Sequence, residues 1–406
     1  MSDSPVISTH IQYGTRPFFA ILLSLFLAGF SSFSSLYCVQ PMMPIFSQFF
    51  AVSPTHSSFP LSASTIALAV GLLFSGLISD RFGRKVIMVW ALLLTALLLI
   101  LSSLFPIWEI FIGTRVLIGF AVSGVAAVAM TYIGEEIAQQ DIGLAMGLYI
   151  SGTAIGGMGG RLIAGVLIDF MAWQTVILLI GILNFISAVI FYLILPQSKH
   201  FKAYPIAFSR FKKSFIKNFS DSKLRLLFAQ GFILMGCFVT IFNYMSYHLL
   251  EKPFQLSQIW IGLISVAYLA GIYSSPRAAK WGEKFGRHRV LPVMLISMLT
   301  GLWLMRTTSI GLVLLGLGIF TFAFFAAHST CSSWVAVQAL QYRAVGSSLY
   351  LFSYYMGSSF LGSSSGLVWE YFGWNGLTAF ISVILFLGLF FAVNLSRQAM
   401  ISIDKN

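Results

Sequence analysis

Two arginines stand inside long apolar stretches of the sequence. Arg161 ends the segment GGMGGR in an apolar run that begins near residue 144, and Arg115 lies within 108–132. A guanidinium stays charged and presents planar N–H donors that match a carboxylate or another oxygen-rich group. Every aspartate and glutamate lies near an end of an apolar stretch or outside one. The arginines are therefore candidates for binding an anionic or oxygen-rich ligand; the alternatives are snorkelling and hydrogen bonds to backbone carbonyls.

Other kinds of chemistry have no matching pattern in the chain. The motifs HEXXH, GxxxxGK[ST] and CxxC are absent, and nothing resembles a nucleophile with its base. Cys38, Cys237 and Cys331 are scattered through apolar stretches, which gives neither a disulfide framework nor metal-ligand spacing. We therefore expect no enzyme activity, no metal and no cofactor.

The composition places these residues in a membrane protein. The chain has 406 residues, of which 58% are hydrophobic and 9% charged, so it belongs to the polytopic membrane class. Stretches of about 20 apolar residues predict transmembrane helices. We predict twelve, near 18–39, 61–79, 86–105, 108–132, 144–168, 174–195, 224–249, 257–276, 288–306, 309–334, 345–368 and 374–395.

The charges predict the orientation of these helices. The net charge is +12, which in a soluble protein would suggest nucleic acid. Here 20 of the 24 Lys and Arg residues lie at the two ends of the chain or in the connections after the even-numbered stretches. The opposite connections carry only Lys252 and Arg306. We therefore expect both termini in the cytoplasm, with the lipid bilayer rather than nucleic acid as the partner.

The long connection 197–223 divides the chain into an N-terminal part, 1–196, and a C-terminal part, 224–406. Within it Phe208, Phe211, Phe215 and Phe219 recur at helical spacing, with basic residues on another face. This pattern predicts an amphipathic helix on the anionic inner leaflet. The alternative is a basic linker in solution.

Internal matches show that the two parts are copies. DRFGRK at 80–85 returns as EKFGRH at 283–288, and LYISGTAIGGMGGRLIAGVLIDFMAW at 148–173 returns as LYLFSYYMGSSFLGSSSGLVWEYFGW at 349–374. Similar offsets in matching positions indicate a tandem duplication. The predicted fold is an all-α polytopic membrane protein with two pseudo-symmetric six-helix bundles, related by an axis along the membrane normal.

At these motifs the sequence resembles the major facilitator superfamily. GLISDRFGRK (76–85) is similar to the loop after the second helix of that family, and IGTRVLIGF (112–120) to its fourth helix. The fifth helix resembles the antiporter motif of drug-exporting members, although Gly157 stands where proline is usual and Arg161 where the last glycine belongs. The resemblance implies a twelve-helix transporter of the cell inner membrane, acting as a monomer.

The resemblance also implies a conformational latch at the loop 76–85 and its repeat. In the family this loop holds the cytoplasmic side closed while the cavity faces outward. We expect Gly76 to pack against a neighbouring helix and Gly83 to permit a tight reversal. The alternative is that the basic residues only set the topology. The latch candidates are Gly76, Asp80, Arg81, Gly83, Arg84, Glu283, Gly286 and Arg287, and the second copy is expected to be weaker because Ala279 replaces its first glycine.

Two further sets of candidates follow from the family architecture. Gly152, Gly156 and Gly160, beside Gly157, form a small-residue face that we place at the seam between the halves, with static packing as the alternative. The helices that line the central path contribute the rest. These candidates for the substrate or proton pathway are Tyr37, Gln40, Asn243, Tyr244, Tyr247, His248, His328 and Trp334, together with Arg115 and Arg161; structural histidines and interfacial aromatics are the alternatives.

The predicted function is secondary active transport by alternating access. A small organic solute binds near the middle of the membrane between the halves, and their rocking exposes it to either side. The first choice is proton-coupled efflux of a drug-like compound, sugar or metabolite. The alternative is uptake of an organic anion by symport or facilitated diffusion. A receptor or channel would require a large sensory domain or a pore-lining repeat, and the sequence shows neither.

Overall fold

The computed structural model describes residues 10–201, 203, 208–339 and 342–403, and helices account for most of them. Short 3-10 segments cover Gln40–Met42 and Ile264–Ala267, and a π-helical turn covers Gly282–Gly286. The helices are α1 (Arg16–Tyr37), α2 (Met43–Phe49), α3 (Pro54–Ser57), α4 (Phe59–Phe82), α5 (Arg84–Leu104), α6 (Trp108–Ala126), α7 (Val128–Glu136), α8 (Ile142–Leu167), α9 (Trp173–Ile194), α10 (Phe208–Ser220), α11 (Ser222–Leu250), α12 (Gln258–Leu263), α13 (Tyr268–Trp281), α14 (Arg287–Leu304), α15 (Ile310–Gln338) and α16 (Arg343–Ile403).

The helices form ten continuous segments that are long and apolar enough to cross a membrane, counted over the described residues. Two of these segments, Gln258–Leu304 and Val345–Gln398, have 47 and 54 residues. At 1.5 Å per residue each exceeds about 70 Å, more than twice the hydrocarbon thickness of a bilayer. Each segment also reverses at a glycine with positive φ, Gly286 (+86°) or Gly373 (+59°). Each therefore has room for two membrane crossings. With the other eight segments this is consistent with the predicted twelve transmembrane helices.

The two ends of the helix bundle are distinguished by the chain segments and connections that lie there. The N-terminal segment lies beside the end of α7, where Ile11 N donates to Glu136 O at 2.9 Å. The C-terminal part of α16 lies beside the start of α14, where Ser396 Oγ donates to His288 O at 2.6 Å. We call this the terminal end, and the opposite one the distal end. The distal end carries the connections 38–58, 105–107, 168–172, 251–257 and 305–309, and the reversal at Gly373.

We call α1–α9 the N-terminal half and α11–α16 the C-terminal half. The glycine face of α8 packs against α1, within the N-terminal half. A Cβ added at Gly152 would lie 2.6 Å from Phe26 O, and one added at Gly160 would lie 2.6 Å from the Cα of Ser34. Gly156 contacts the backbone of Phe30 in the same way. Three of the glycines predicted for the seam therefore lie inside the N-terminal half, so their predicted location is wrong.

The contact between α8 and the C-terminal half lies farther along the helix. A Cβ at Gly165 would lie 2.9 Å from the backbone N of Gly262, at the start of the α12 segment. Gly157, the fourth predicted seam residue, instead faces Tyr37 and the guanidinium of Arg161. The small-residue pattern thus predicted close packing, but it did not identify the neighbouring helix.

The predicted helix in the connection is present as α10. Ser214 and Asn218 face the protein, and Asn218 Nδ2 donates to Ser214 O at 3.0 Å and to Tyr342 O at 3.3 Å. The rings of Phe215 and Phe219 stack with centroids 5.8 Å apart. Residues 202 and 204–207, and the side chains of Phe208 and Arg210, lie outside the described residues. A position on the inner leaflet stays a prediction.

Candidate functional site

Arg161 lies buried where the two halves meet. Its side chain extends from α8 with an exposed fraction of 2%. Nε donates to Gln40 Oε1, and Nη1 donates to Gly157 O at 2.6 Å. Because Gly157 has no side chain, the stem of Arg161 can fold back along its own helix. Both acceptors belong to the N-terminal half, which therefore fixes the position of the guanidinium.

Three aromatic rings surround the same guanidinium. Its Cζ lies 4.0 Å from the ring centroid of Tyr37, 4.8 Å from that of Tyr268 and 5.7 Å from that of Phe242. Tyr37 belongs to the N-terminal half, whereas Tyr268 and Phe242 belong to the C-terminal half. A cation over an aromatic face gains about 0.5–1 kcal/mol at an exposed site and about 2 kcal/mol or more when it is desolvated. The charge is thus held partly by cation–π contacts.

One amino group of Arg161 has no protein partner. Nη2 is buried and makes no hydrogen bond within the described part of the chain. Among those residues the ion pairs involve Arg84 and His200, so no acid pairs with Arg161 either. The guanidinium borders a small cavity between the two halves. The other residues that line it are Gln40, Pro41, Phe242, Ser246, Ile261, Ile264 and Ser265.

Gln40 and Asn243 join the halves beside Arg161. Gln40 Nε2 donates to Asn243 Oδ1 at 2.5 Å, and the two residues lie 203 positions apart, which is the offset of the first internal repeat. Residues at the same repeat offset in the two copies therefore bind each other across the contact between the halves. Asn243 Nδ2 and Tyr244 Oη both donate to Gly362 O, at 3.2 and 3.0 Å. Gly362 occupies in the second copy the place of Arg161, so the site is asymmetric.

Arg115 has a different role. All three of its nitrogens donate to backbone carbonyls of the N-terminal half: Nε to Pro60 O at 3.1 Å, Nη1 to Ser35 O at 2.8 Å and Nη2 to Leu36 O at 2.7 Å. The residue is fully buried and is not among those that line the cavity beside Arg161. Arg115 therefore fits the alternative of hydrogen bonds to backbone carbonyls.

Serine and tyrosine hydroxyls continue the contact between the halves toward the distal end. Tyr247 Oη lies 2.7 Å from both Ser47 Oγ and Ser57 Oγ, and Ser62 Oγ lies 2.6 Å from Ser363 Oγ. Among the described residues, every hydrogen bond between the halves joins residues 40–65 or Asp169 to residues 239–259 or 359–370. The halves are therefore hydrogen-bonded from the middle of the molecule to the distal end.

Two carboxylates at the distal end reach across to the opposite half. Asp169, just after α8, accepts from the backbone N of Ile259 at 3.0 Å. Glu370, in α16, accepts from Thr55 N at 2.9 Å and Thr55 Oγ1 at 2.6 Å. The two acids occupy matching places in the repeat, and each binds the start of a helix in the other half. Neither acid was among the predicted site residues, although their matching places in the repeat are visible in the sequence.

The two histidines and Trp334 lie within the C-terminal half. His328 Nδ1 lies 2.9 Å from Tyr350 Oη, and its ring lies 4.5 Å from that of Tyr354. His248 stacks on Trp374 with centroids 4.3 Å apart. Trp334 is 8% exposed in the hydrophobic core. None of the three lines the cavity beside Arg161.

The loop 76–85 is held by Arg84 at the terminal end. Arg84 Nη1 lies 2.6 Å from Asp80 Oδ1, and its Nη2 and Nε donate to Glu135 at 2.7 and 3.1 Å. Gly83 has φ +97°, which agrees with the predicted tight reversal. A Cβ at Gly76 would meet no described residue within 4 Å, so the predicted packing of Gly76 against a helix is not found in the described part of the chain. Glu135 was not among the predicted latch residues, because two predicted transmembrane helices separate it from the loop in the sequence.

Arg81 and the second copy of the loop have weaker contacts. Arg81 is exposed, and its Cζ lies 5.4 Å from the ring of Phe82. Gly286 repeats the positive φ of the first loop, at +86°. Arg287 Nε donates to Ser333 Oγ at 3.2 Å, and within the described ranges neither Arg287 nor Glu283 forms an ion pair.

A larger cavity lies away from Arg161. It has a volume of about 380 Å³ and lies among the end of α10, α11 and the two limbs of α16. Its walls are apolar apart from Arg225 and Ser353. Because it does not extend between the halves, it is not the candidate site.

Comparison with known proteins agrees with this architecture. Residues 25–362 match the model of the Major Facilitator Superfamily. The chain is 46% identical over 393 residues to the inner membrane transport protein YnfM of Escherichia coli (strain K12), covering 96% of this chain and 93% of that protein. It is 44% identical over 383 residues to an uncharacterized transporter of Buchnera aphidicola subsp. Schizaphis graminum, covering 94% and 93%.

A solved structure shows the same fold at low sequence identity. It is a bacterial homolog to the human lysosomal transporter Spinster, in an inward-facing and unoccupied conformation. The TM-score is 0.79 at 13% identity, and the match covers 95% of this chain and 98% of that one. By its match to the family model and its identity to the full-length relatives, the chain belongs to the major facilitator superfamily and is a multi-pass transporter of the inner membrane.

Proposed function

We propose that the protein moves a small organic solute across the inner membrane by alternating access, with its binding site at the level of Arg161. The solute binds between the two halves, and rotation of one half against the other exposes it to one side at a time. The observation that supports this most directly is the distribution of hydrogen bonds between the halves. They run from the middle of the molecule to the distal end, and the terminal end carries none among the described residues.

The distal end is the periplasmic one in this proposal, because the Lys and Arg residues concentrate at the terminal end. The structure then represents an inward-facing state. A cysteine replacing Ser209 in α10 should resist an impermeant thiol reagent in intact cells, whereas one replacing Thr308 at the distal end should react. The reverse labelling pattern would overturn the orientation.

The loop 76–85 supports the same cycle. In the inward-facing state Gly76 faces open space, while Arg84 binds Asp80 and Glu135 of its own half. When the terminal end closes, the smooth surface at Gly76 allows a helix of the other half to approach. The loop is therefore released in this state and acts as a latch in the opposite one.

Proton-coupled efflux is the first candidate for direction and coupling. It is supported by the glycines of α8 that match the antiporter motif, Gly143, Gly152, Gly156 and Gly160. Uptake of an organic anion by symport or facilitated diffusion is the second candidate. It is favoured by the charge of Arg161, which has no acidic partner within the described residues.

The test is counterflow in proteoliposomes that contain the full chain. Labelled sugars, organic acids and cationic dyes are screened with and without a pH gradient. We expect accumulation of at least one class, and an effect of the gradient if protons are coupled. Accumulation without any effect of the gradient would exclude proton coupling, and no accumulation across all three classes would count against transport of such solutes.

A further inference from the structure

We infer that Arg161 binds the carboxylate of a small organic acid that carries one negative charge and an apolar body. The inference rests on the proposed transport function and specifies the class of solute. The guanidinium of Arg161 has N–H donors on three nitrogens. Nε and Nη1 are used within the N-terminal half, whereas the two N–H groups of Nη2 have no acceptor among the described residues.

An unpaired buried donor on a charged group is costly, about 1–3 kcal/mol or more. A water molecule would satisfy the N–H groups of Nη2 but would leave the positive charge uncompensated. A carboxylate satisfies both requirements, since it accepts hydrogen bonds from a guanidinium and carries the opposite charge. Arg161 lines the cavity between the halves, so a solute in the transport path can reach its guanidinium once this cavity widens.

The charge balance at this site indicates a single carboxylate. Asp169, the acid that follows Arg161 on the same segment, lies about 12 Å farther along at helical rise and is bound to Ile259 N. Glu370 is bound to Thr55 in the same way. Arg115 is saturated by three carbonyls. Among the described residues that line this cavity Arg161 is the one cation, and a dianion would bring a second negative charge into an apolar site without a partner.

The surroundings of Nη2 indicate an apolar body for the acid. Phe242, Ile261 and Ile264 line the cavity, and the rings of Tyr37 and Tyr268 flank the guanidinium. In the present state the cavity is too small for an organic acid. Tyr268, Phe242 and Ile261 belong to the C-terminal half, so reorientation of that half uncovers Nη2 while Gln40 and Gly157 keep the arginine in place. The acid is therefore bound between both halves.

The experiment compares acids with their neutral amides on the purified full-length protein. The probes are benzoate, cyclohexanecarboxylate and octanoate, each beside the amide of the same skeleton, and Kd is measured by isothermal titration calorimetry. We expect at least one acid to bind and to bind about ten-fold or more tightly than its amide, because the amide oxygen accepts a hydrogen bond from the guanidinium but carries no negative charge. Equal binding of acid and amide, or no binding of any acid, would overturn the inference.

Variants assign the preference to the residue. Arg161→Gln should abolish the difference between acid and amide, and Arg161→Lys should weaken acid binding because the ammonium lacks the planar fork. Arg306→Gln, which removes an arginine next to Trp303, is the matched control and should keep the preference. An acid preference that survives Arg161→Gln would also overturn the inference. If Arg161→Gln does not fold, as judged by size-exclusion chromatography, the comparison on the wild-type protein still decides.

The two proposals fail in different ways. If the halves alternate but no acid is preferred, the identity of the solute is wrong and transport stands. If acids bind but the halves do not alternate, the proposed function is wrong.

Discussion

The two buried arginines differ in the groups that accept their hydrogen bonds. Arg115 ties α6 to the end of α1 and the start of α4 through three backbone carbonyls, all within one half. Arg161 uses one side-chain amide and one carbonyl and leaves Nη2 unpaired between the halves. A saturated guanidinium stabilises the fold, whereas a partly satisfied one at a moving interface can bind a ligand.

Arg115→Met should therefore impair folding rather than selectivity. The substitution keeps an apolar stem and leaves three carbonyls without a donor, at about 1–3 kcal/mol each if no water replaces it. We expect a melting temperature in detergent at least about 5 °C lower than that of the wild type. The matched variant Arg161→Met should melt within about 2 °C of the wild type and lose transport. An unchanged melting temperature for Arg115→Met would contradict this role.

The sequence placed both arginines inside apolar stretches, away from any acid in the middle of a stretch, and the structure buries both side chains. It did not predict which of them lines the site. Every residue supplies a carbonyl, so the acceptors of Arg115 leave no signal in the residue types. Gln40 was a candidate in its own right, but its pairing with Asn243 depends on how the two copies meet.

Among the helices, α8 makes two distinct contacts. Gly152, Gly156 and Gly160 bring it against α1, and Gly165 brings it against Gly262 of the other half. The first contact lies within one half, whereas the second joins the two halves and changes in the proposed cycle when the distal end opens. Substitutions at the two places should therefore have different effects.

Gly156→Leu should reduce the yield of folded protein, because its side chain would meet the backbone of Phe30. Gly165→Leu should fold but fail to close the distal end, and so lose transport at normal expression. The control on the same helix is Gly147→Leu, where an added Cβ meets nothing within 4 Å. Size-exclusion profiles and counterflow at matched membrane expression measure both effects. Normal folding and transport by Gly156→Leu would show that the α1 contact is dispensable.

The paired carboxylates Asp169 and Glu370 each link one half to the start of a helix in the other half. The double variant Asp169→Asn, Glu370→Gln should weaken distal closure. We expect a cysteine replacing the buried Ser246 to react about three-fold or more faster with a thiol reagent, since charged hydrogen bonds are replaced by neutral ones. Glu109→Gln, which changes an exposed acid at the same end, is the control. An unchanged labelling rate would show that the pair does not hold the end closed.

The helices themselves were largely predictable. Runs of about 20 apolar residues gave all twelve predicted stretches, and each lies on helical structure. The stretches 108–132 and 257–276 each extend over two helices, and 345–368 and 374–395 both lie in α16, on the two sides of Gly373. The neighbours of each helix were not predictable. A small-residue face indicates close packing with any partner, and the choice of α1 over the second half depends on the arrangement of all the helices.

For the whole molecule, the internal repeat has a direct structural consequence. Gln40 and Asn243, which share the repeat offset, bind each other, and Asp169 and Glu370 make equivalent contacts with opposite halves. A pseudo-symmetric distal closure of this kind can be exchanged for an equivalent closure at the terminal end by rotating one half. We therefore expect the two ends to move reciprocally, so that the terminal end closes as the distal end opens.

Distances between spin labels, measured by double electron–electron resonance in lipid nanodiscs, test this claim most directly. One pair replaces Phe105 and Thr308 at the distal end, and the other replaces Gln140 and Arg343 at the terminal end; all four residues are exposed, and the buried native cysteines are removed. The account predicts two populations at each end, with conditions that lengthen the distal distance shortening the terminal one. A single fixed distance at both ends, or distances that lengthen together, would contradict alternating access.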